Sequence, residues 1–161
     1  MSLTVISDAL DALYDKFVVD ATLAAMVTAQ TLKIFDGPGT TDFSGSSILT
    51  VGAQPVVEDE SVTTVEWDWA TLGVSGTAAE VDETYEIPCG ISTRDGNNDM
   101  RACRHTAFDI YEAAAAVVRG TTLSVPQVMW CIPQVAAVRQ RHGPSGSDCT
   151  VLFTAHVRTR I

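Results

Sequence analysis

A chain of 161 residues with 46% hydrophobic content is long enough to bury one substantial core and too short for two independent ones. Its net charge of −10 excludes a nonspecific nucleic-acid binder, which needs a basic footprint, and the absence of any apolar run of about 18 residues excludes a membrane-spanning helix. The charge is uneven: residues 1 to 93 carry 15 acids against 2 bases, whereas residues 94 to 161 carry 5 against 8.

In chain order, Leu3, Ile6, Leu10, Leu13, Tyr14 and Phe17 recur at three- and four-residue spacing, the stripe of an amphipathic helix. Asp8, Asp11 and Asp15 lie where a secretion signal would be basic and apolar, so a soluble protein made in a cytoplasm is expected. A second short helix is expected over residues 20–29, then a strand over residues 31–36 stopped by Gly37-Pro38-Gly39. Ile48 to Val51 and Val56-Val57 are strand candidates, and Glu58-Asp59-Glu60-Ser61 is a compact acidic turn. Over residues 62–70, Val65, Trp67 and Trp69 alternate with Thr64, Glu66 and Asp68, which predicts a strand. Residues 71–82 have no period and read as a loop.

Tyr85, Ile87, Cys89 and Ile91 alternate with Glu86, Pro88, Gly90 and Ser92, the period of a strand with one buried face. After the turn Asp95-Gly96-Asn97-Asn98, the positions Met100, Cys103, Ala107, Ile110, Tyr111, Ala114 and Val118 predict a long helix that Gly120 ends. Residues 125–141 form one long strand or two shorter ones broken at Pro133, and Gly143-Pro144-Ser145-Gly146 predicts a hairpin turn. Residues 150–161 alternate Val151, Phe153, Ala155, Val157 and Ile161 against Thr154, His156, Arg158 and Arg160, a half-buried strand with a basic outer face. The expected architecture is α+β: a single domain over residues 1–161, with a mixed, mostly antiparallel sheet. An N-terminal helix and one long central helix pack on one face, and a loop-rich insertion covers about residues 40–82.

None of the candidate constellations carries chemistry convincingly. The Asp95 to Asp99 turn is rich in oxygen ligands, but its glycine and its twelfth position, Thr106, do not fit a calcium loop. Asn97, Asn98 or Asp99 capping the following helix is the better reading. Cys103 and His105 point in different directions on a helix, which speaks against zinc, and the four cysteines, scattered without C-x-x-C spacing, fit buried free thiols. His105, Asp109 and Glu112 fall one and two helical turns apart, but no nucleophile elbow accompanies them. Trp67, Trp69 and Trp130 lack the interleaved basic side chains of a single-strand binder. No catalytic, cofactor or metal site is therefore expected.

The order of elements resembles the tail terminator, or tail-completion, proteins of long-tailed bacteriophages, the neck family that includes tail-to-head joining proteins. The opening helix, the Leu32 to Asp36 strand, the strand with Ile87-Pro88-Cys89, the Gly96 to Asp99 turn leading into the helix with Arg101, Ala107 and Ile110, and the basic last strand carry the resemblance. It implies a structural virion protein without turnover, assembled in the bacterial host cytoplasm. It also implies a hexameric homo-oligomeric ring that caps the tail tube and faces the head connector, with DNA passing through and no sequence-specific DNA or membrane binding. On that reading Arg101, Arg104, Arg158 and Arg160 form the basic side of a subunit or partner contact, and Glu58, Asp59 and Glu60 its acidic counterpart. The alternatives are a small hydrolase or metal-dependent enzyme using His105, Asp109 and Glu112, and a different virion connector or minor tail protein.

Overall fold

The computed structural model describes residues 6–37, 47–53, 65–68, 82–119 and 123–160. Two helices open the chain, α1 (Ile6–Val19) and α2 (Ala21–Thr28), followed by strands β1 (Leu32–Asp36), β2 (Ser47–Val51), β3 (Val65–Asp68) and β4 (Asp82–Asp95). The long helix α3 (Met100–Arg119) leads into a hairpin of β5 (Val128–Gly143) and β6 (Gly146–Arg160). The strands form one sheet in the order β1-β2-β4-β6-β5, with β3 also pairing with β4. β1 runs parallel to β2 and the other pairings are antiparallel, so the protein is a single-domain α+β fold with a mixed sheet, as its sequence predicts.

Periodicity explains the helix layer. In α1, Ala9, Leu13 and Phe17 recur every four residues and are buried, and in α3, Cys103, Ala107, Ile110, Ala114 and Val118 do the same at three- and four-residue spacing. Asp20 separates α1 from α2, its Oδ1 accepting hydrogen bonds from the Thr22 and Leu23 amides at 3.0 Å each. A short acceptor there satisfies amides that have no partner within the helix. Asp99 does the same for α3, accepting from Ala102 N at 3.0 Å, while Asp95 accepts from Asn97 N at 3.3 Å and Asp99 N at 2.8 Å. The oxygen-rich turn is thus a cap whose carboxylates are engaged by the backbone.

The three long strands set the core. The odd-numbered residues of β4 from Glu83 to Thr93 and of β6 from Ser147 to Thr159 are all buried. Among them Tyr85, Ile87, Cys89, Ile91, Val151, Phe153, Ala155 and Val157 join the cluster formed with α1 and α3. Tyr111 bridges helix and sheet, its ring 5.4 Å from that of Phe153 and edge-on to it. Thr93 Oγ1 donates to the Cys103 carbonyl at 3.0 Å and so ties the start of α3 to β4. On the opposite face of the sheet, Ile48, Thr50 and Leu152 are also buried.

Two prolines sit in strands without breaking them. Pro88 lies between the β4 stretch that pairs with β3, ending at Tyr85, and the stretch that pairs with β2, beginning at Cys89. A residue with no N–H to give is tolerated where, among the described residues, one edge of its strand has no partner. Among the described residues Pro133 lies in β5, at the sheet edge, so the strand continues through it, with register shifts between Val128 and Trp130 and between Val135 and Ala137. The sequence left one long or two shorter strands open here, and the edge position accounts for the single one.

Expected boundaries shift mainly by extension. β6 begins at Gly146, four residues before the alternation from Thr150, because Ser147 and Cys149 already face the core. Within the window 40–82, β2 and β3 belong to the sheet; the strand candidate Val56-Val57, the acidic turn 58–61 and the loop 71–81 lie outside the described residues.

All four cysteines are buried and free. Burial pushes the Cys89 and Cys131 thiols up to about 12 from an ordinary value of 9.0. In the unfolded chain these thiols ionise near the ordinary value, so between pH 9 and pH 12 the unfolded state sheds protons that the native state retains. Stability is therefore expected to be unaffected by these groups below pH 9 and to fall as pH rises through that window, as urea titrations at successive pH values would show. A thiol reagent at pH 8 should label none of the four in the native protein and all of them in denaturant.

Tyr85 is fully buried, and its hydroxyl has no hydrogen-bond partner among the described residues. Desolvation, with the charge of Glu83 next in weight, raises its pKa. A buried donor without a partner costs free energy, so Tyr85→Phe is expected to keep stability or raise it by about 1 kcal/mol. Chemical denaturation of the two proteins checks this.

Candidate assembly surfaces

The sequence grouped Arg101, Arg104, Arg158 and Arg160 as one basic side, and the structure divides them between opposite ends of the long strands. Arg160 pairs in register with Asp82 and Arg158 with Thr84, at the start of β4. Arg101 and Arg104 lie in the first turns of α3, which follows the end of β4 at Asp95. A strand of 14 residues separates these ends by roughly 43 Å at about 3.3 Å per residue.

Arg101 and Arg104 have other neighbours. Arg104 Nη1 donates to Gln140 Oε1 at 3.3 Å, which places the α3 start beside β5. In one cross-strand row, Arg94, Asp148 and Arg141 lie side by side, with Arg94 Nε donating to Asp148 Oδ1 at 2.7 Å. That hydrogen bond and the Asp148 charge hold the Arg94 guanidinium above its ordinary range. Arg139 occupies the row with Ser92 and Thr150. This end thus holds Arg94, Arg101, Arg104, Arg139 and Arg141 beside the acids Asp95, Asp99 and Asp148, with Arg94 ion-paired to Asp148. Arg94, Arg139 and Arg141 went unnoticed in the sequence because strand register, which one residue's slip would reverse, decides that they gather. The available signal was the R-Q-R alternation at residues 139–141 just before the hairpin turn.

The acidic counterparts expected at Glu58, Asp59 and Glu60 lie outside the described residues. A different acidic surface is present on α1, where Asp8, Asp11 and Asp15 are exposed and follow one another at three- and four-residue spacing, hence along one helix face. Exposed large apolar side chains occur on α1 and α2 (Val18, Val19, Val27) and on β5 (Met129, Ile132, Val138).

His105, Asp109 and Glu112 all lie on the exposed side of α3, and no hydrogen bond or ion pair among the described residues joins them. Histidine does meet a carboxylate elsewhere: His156 Nδ1 is 3.3 Å from Glu86 Oε1 across the β4–β6 ladder. A serine–histidine contact also exists, Ser147 Oγ lying 2.9 Å from His142 Nδ1. Ser147 is fully buried, so that hydroxyl is closed to a substrate. Among the described residues, no group of three or more His, Cys, Asp or Glu side chains is placed to hold a metal ion, and no helix is long and apolar enough to cross a membrane.

What these surfaces can do is bind other surfaces of complementary charge and shape. No model of a known protein family matches the chain, and no curated protein is significantly similar to it.

Proposed function

We propose that this protein is a structural component of the neck of a long-tailed bacteriophage, a tail terminator that forms a ring on the end of the tail tube and joins it to the head connector. The observation that carries the reading is the distribution of charge on a rigid α+β core. Arginines collect where β4 ends and β5 and β6 meet, and acids line α1. Surfaces of opposite sign steer partners and fix register more than they add affinity, which suits a part that must dock on two different neighbours. Self-association, the tube protein and the head-connector protein are the partners on this reading, and DNA passes through without specific binding.

The deciding experiment mixes the purified protein with tail tubes lacking their end cap and inspects them by negative-stain electron microscopy. Density at one tube end, and tubes of fixed length that accept heads, are the expected results. A folded protein that never decorates tubes under any condition overturns the reading. The double variant His105→Ala with Asp109→Ala should decorate as well as the parent, whereas an enzyme built on those residues would lose activity while remaining folded.

A further inference from the structure

The β5 edge of the sheet and the helix α1, which packs on β1 and β2 at the other side, carry opposite charge. At one edge, β5 contains Arg139, Arg141 and His142 and no acid anywhere along its length, and among the described residues it pairs only with β6. Arg139 and Arg141 share rows with Thr150 and Asp148 and so lie on one face of the strand, while Val138, in the row of Val151, lies on the other at 39% exposure. At the other edge, α1 packs against β1, β2 and α3 and presents Asp8, Asp11 and Asp15, with Val18 continuing the stripe at 43% exposure. Lys16 and Lys33 on this side are half-buried, and the net sign remains acidic. Five strands in the order β1-β2-β4-β6-β5 keep the two edges roughly 19 Å apart at about 4.8 Å per strand.

We propose that copies of this chain associate head to tail, the α1 stripe of Asp8, Asp11 and Asp15 in one copy seated on the β5 edge of the next at Arg139 and Arg141. The inference rests on the assembly reading above and names the surfaces that reading needs. A copy cannot satisfy both patches internally, since α1 packs on β1 and β2, at the opposite side of the sheet from β5. Joined between copies, each chain gives one edge and receives the other, the heterologous arrangement that closes into a ring or extends as a filament. The occupant is a second copy because the complementary charges are both present on this chain. β5 is also poorly suited to the competing mode, addition of a foreign strand along its edge. Pro133 and its two register shifts interrupt the ladder, devices by which edge strands resist indiscriminate pairing.

Two variants test the pairing: Asp11→Arg with Asp15→Arg, and Arg139→Glu with Arg141→Glu. All four positions are exposed, and circular dichroism establishes that each variant folds. Light scattering behind size-exclusion chromatography at low salt should show the parent oligomeric and each variant weakened by roughly 100-fold, the effect of like charges set face to face. An equimolar mixture of the two variants should regain the parent's assembly, because each reversed patch then meets its reversed complement. Added salt should weaken the parent's association, since exposed charges are screened. An oligomer that both variants form as readily as the parent overturns this choice of surfaces and leaves the neck reading intact. A parent that stays monomeric at its solubility limit overturns self-docking, and tube decoration then decides the neck reading separately.

Discussion

Replacing Gly146 with alanine is expected to destabilise the protein by about 3 kcal/mol or more, through strain at a positive φ together with collision against a neighbouring backbone. Gly146 has φ +123, outside the range that side-chain-bearing residues adopt comfortably, and a Cβ there would run into the Asp95 carbonyl, with Gly96 Cα 3.0 Å away. Neither obstacle is the tip of a flexible side chain. Asp95 is itself fixed, because its carboxylate holds the amides of Asn97 and Asp99. The hairpin turn and the α3 cap therefore press on each other at this glycine, and moving one disturbs the other. For a domain of this size the loss corresponds to a fall of roughly 6–12 °C in Tm. Gly96→Ala is the control, since a Cβ there meets nothing within 4 Å, and it should change stability far less. Equal Tm values for the two variants would refute the collision.

Phe153→Ala should cost about 3–5 kcal/mol, the range for deleting a buried aromatic ring. Phe153 is 1% exposed on β6, the strand between β4 and β5, and is paired in register with Cys89 and Val135. Its ring also receives the edge of Tyr111, which in turn packs edge-on against Phe108 at 6.3 Å. Removing the ring leaves a cavity under α3 as well as an unsupported aromatic pair, worth about 1 kcal/mol beyond the buried area. Phe153→Leu, which keeps most of the volume, should recover a large part of the loss. Calorimetry of the three proteins measures the series, and a Phe153→Ala variant as stable as the parent would show that α3 closes over the gap.

Much of this fold was legible because periodicity carries burial. The α3 stripe and the alternation at Tyr85, Ile87, Cys89 and Ile91 each mapped onto an element whose spaced residues are buried. The cap at Asp99 was legible for a related reason: few residue types accept a hydrogen bond so close to their own backbone. The strand lengths were harder. Ser147 and Thr159, polar and fully buried, conceal the alternation at both ends of β6. The candidate surfaces were less legible than the fold. Arg101 and Arg158 look equivalent in sequence, and only the antiparallel register of β4 and β6 sends them to opposite ends. Likewise the pairing of Arg104 with Gln140 joins residues 36 positions apart, a separation no local pattern spans.

The placement of β6 between β4 and β5 has a kinetic consequence. Until residues 146–160 are in position, β5 has no described strand to pair with and β4 lacks its longest partner, so the sheet exists only as fragments. Partners in the β4–β6 ladder such as Glu83 and Thr159 are 76 residues apart, and closing loops of that length precedes any reward from the contacts. The β5–β6 hairpin, closed by a short turn, offers the quick local step, and its docking along β4 is the slow one. Stopped-flow refolding should therefore report a single slow formation of the sheet together with burial of Tyr111 against Phe153, and the assembly surfaces come into being only after that event.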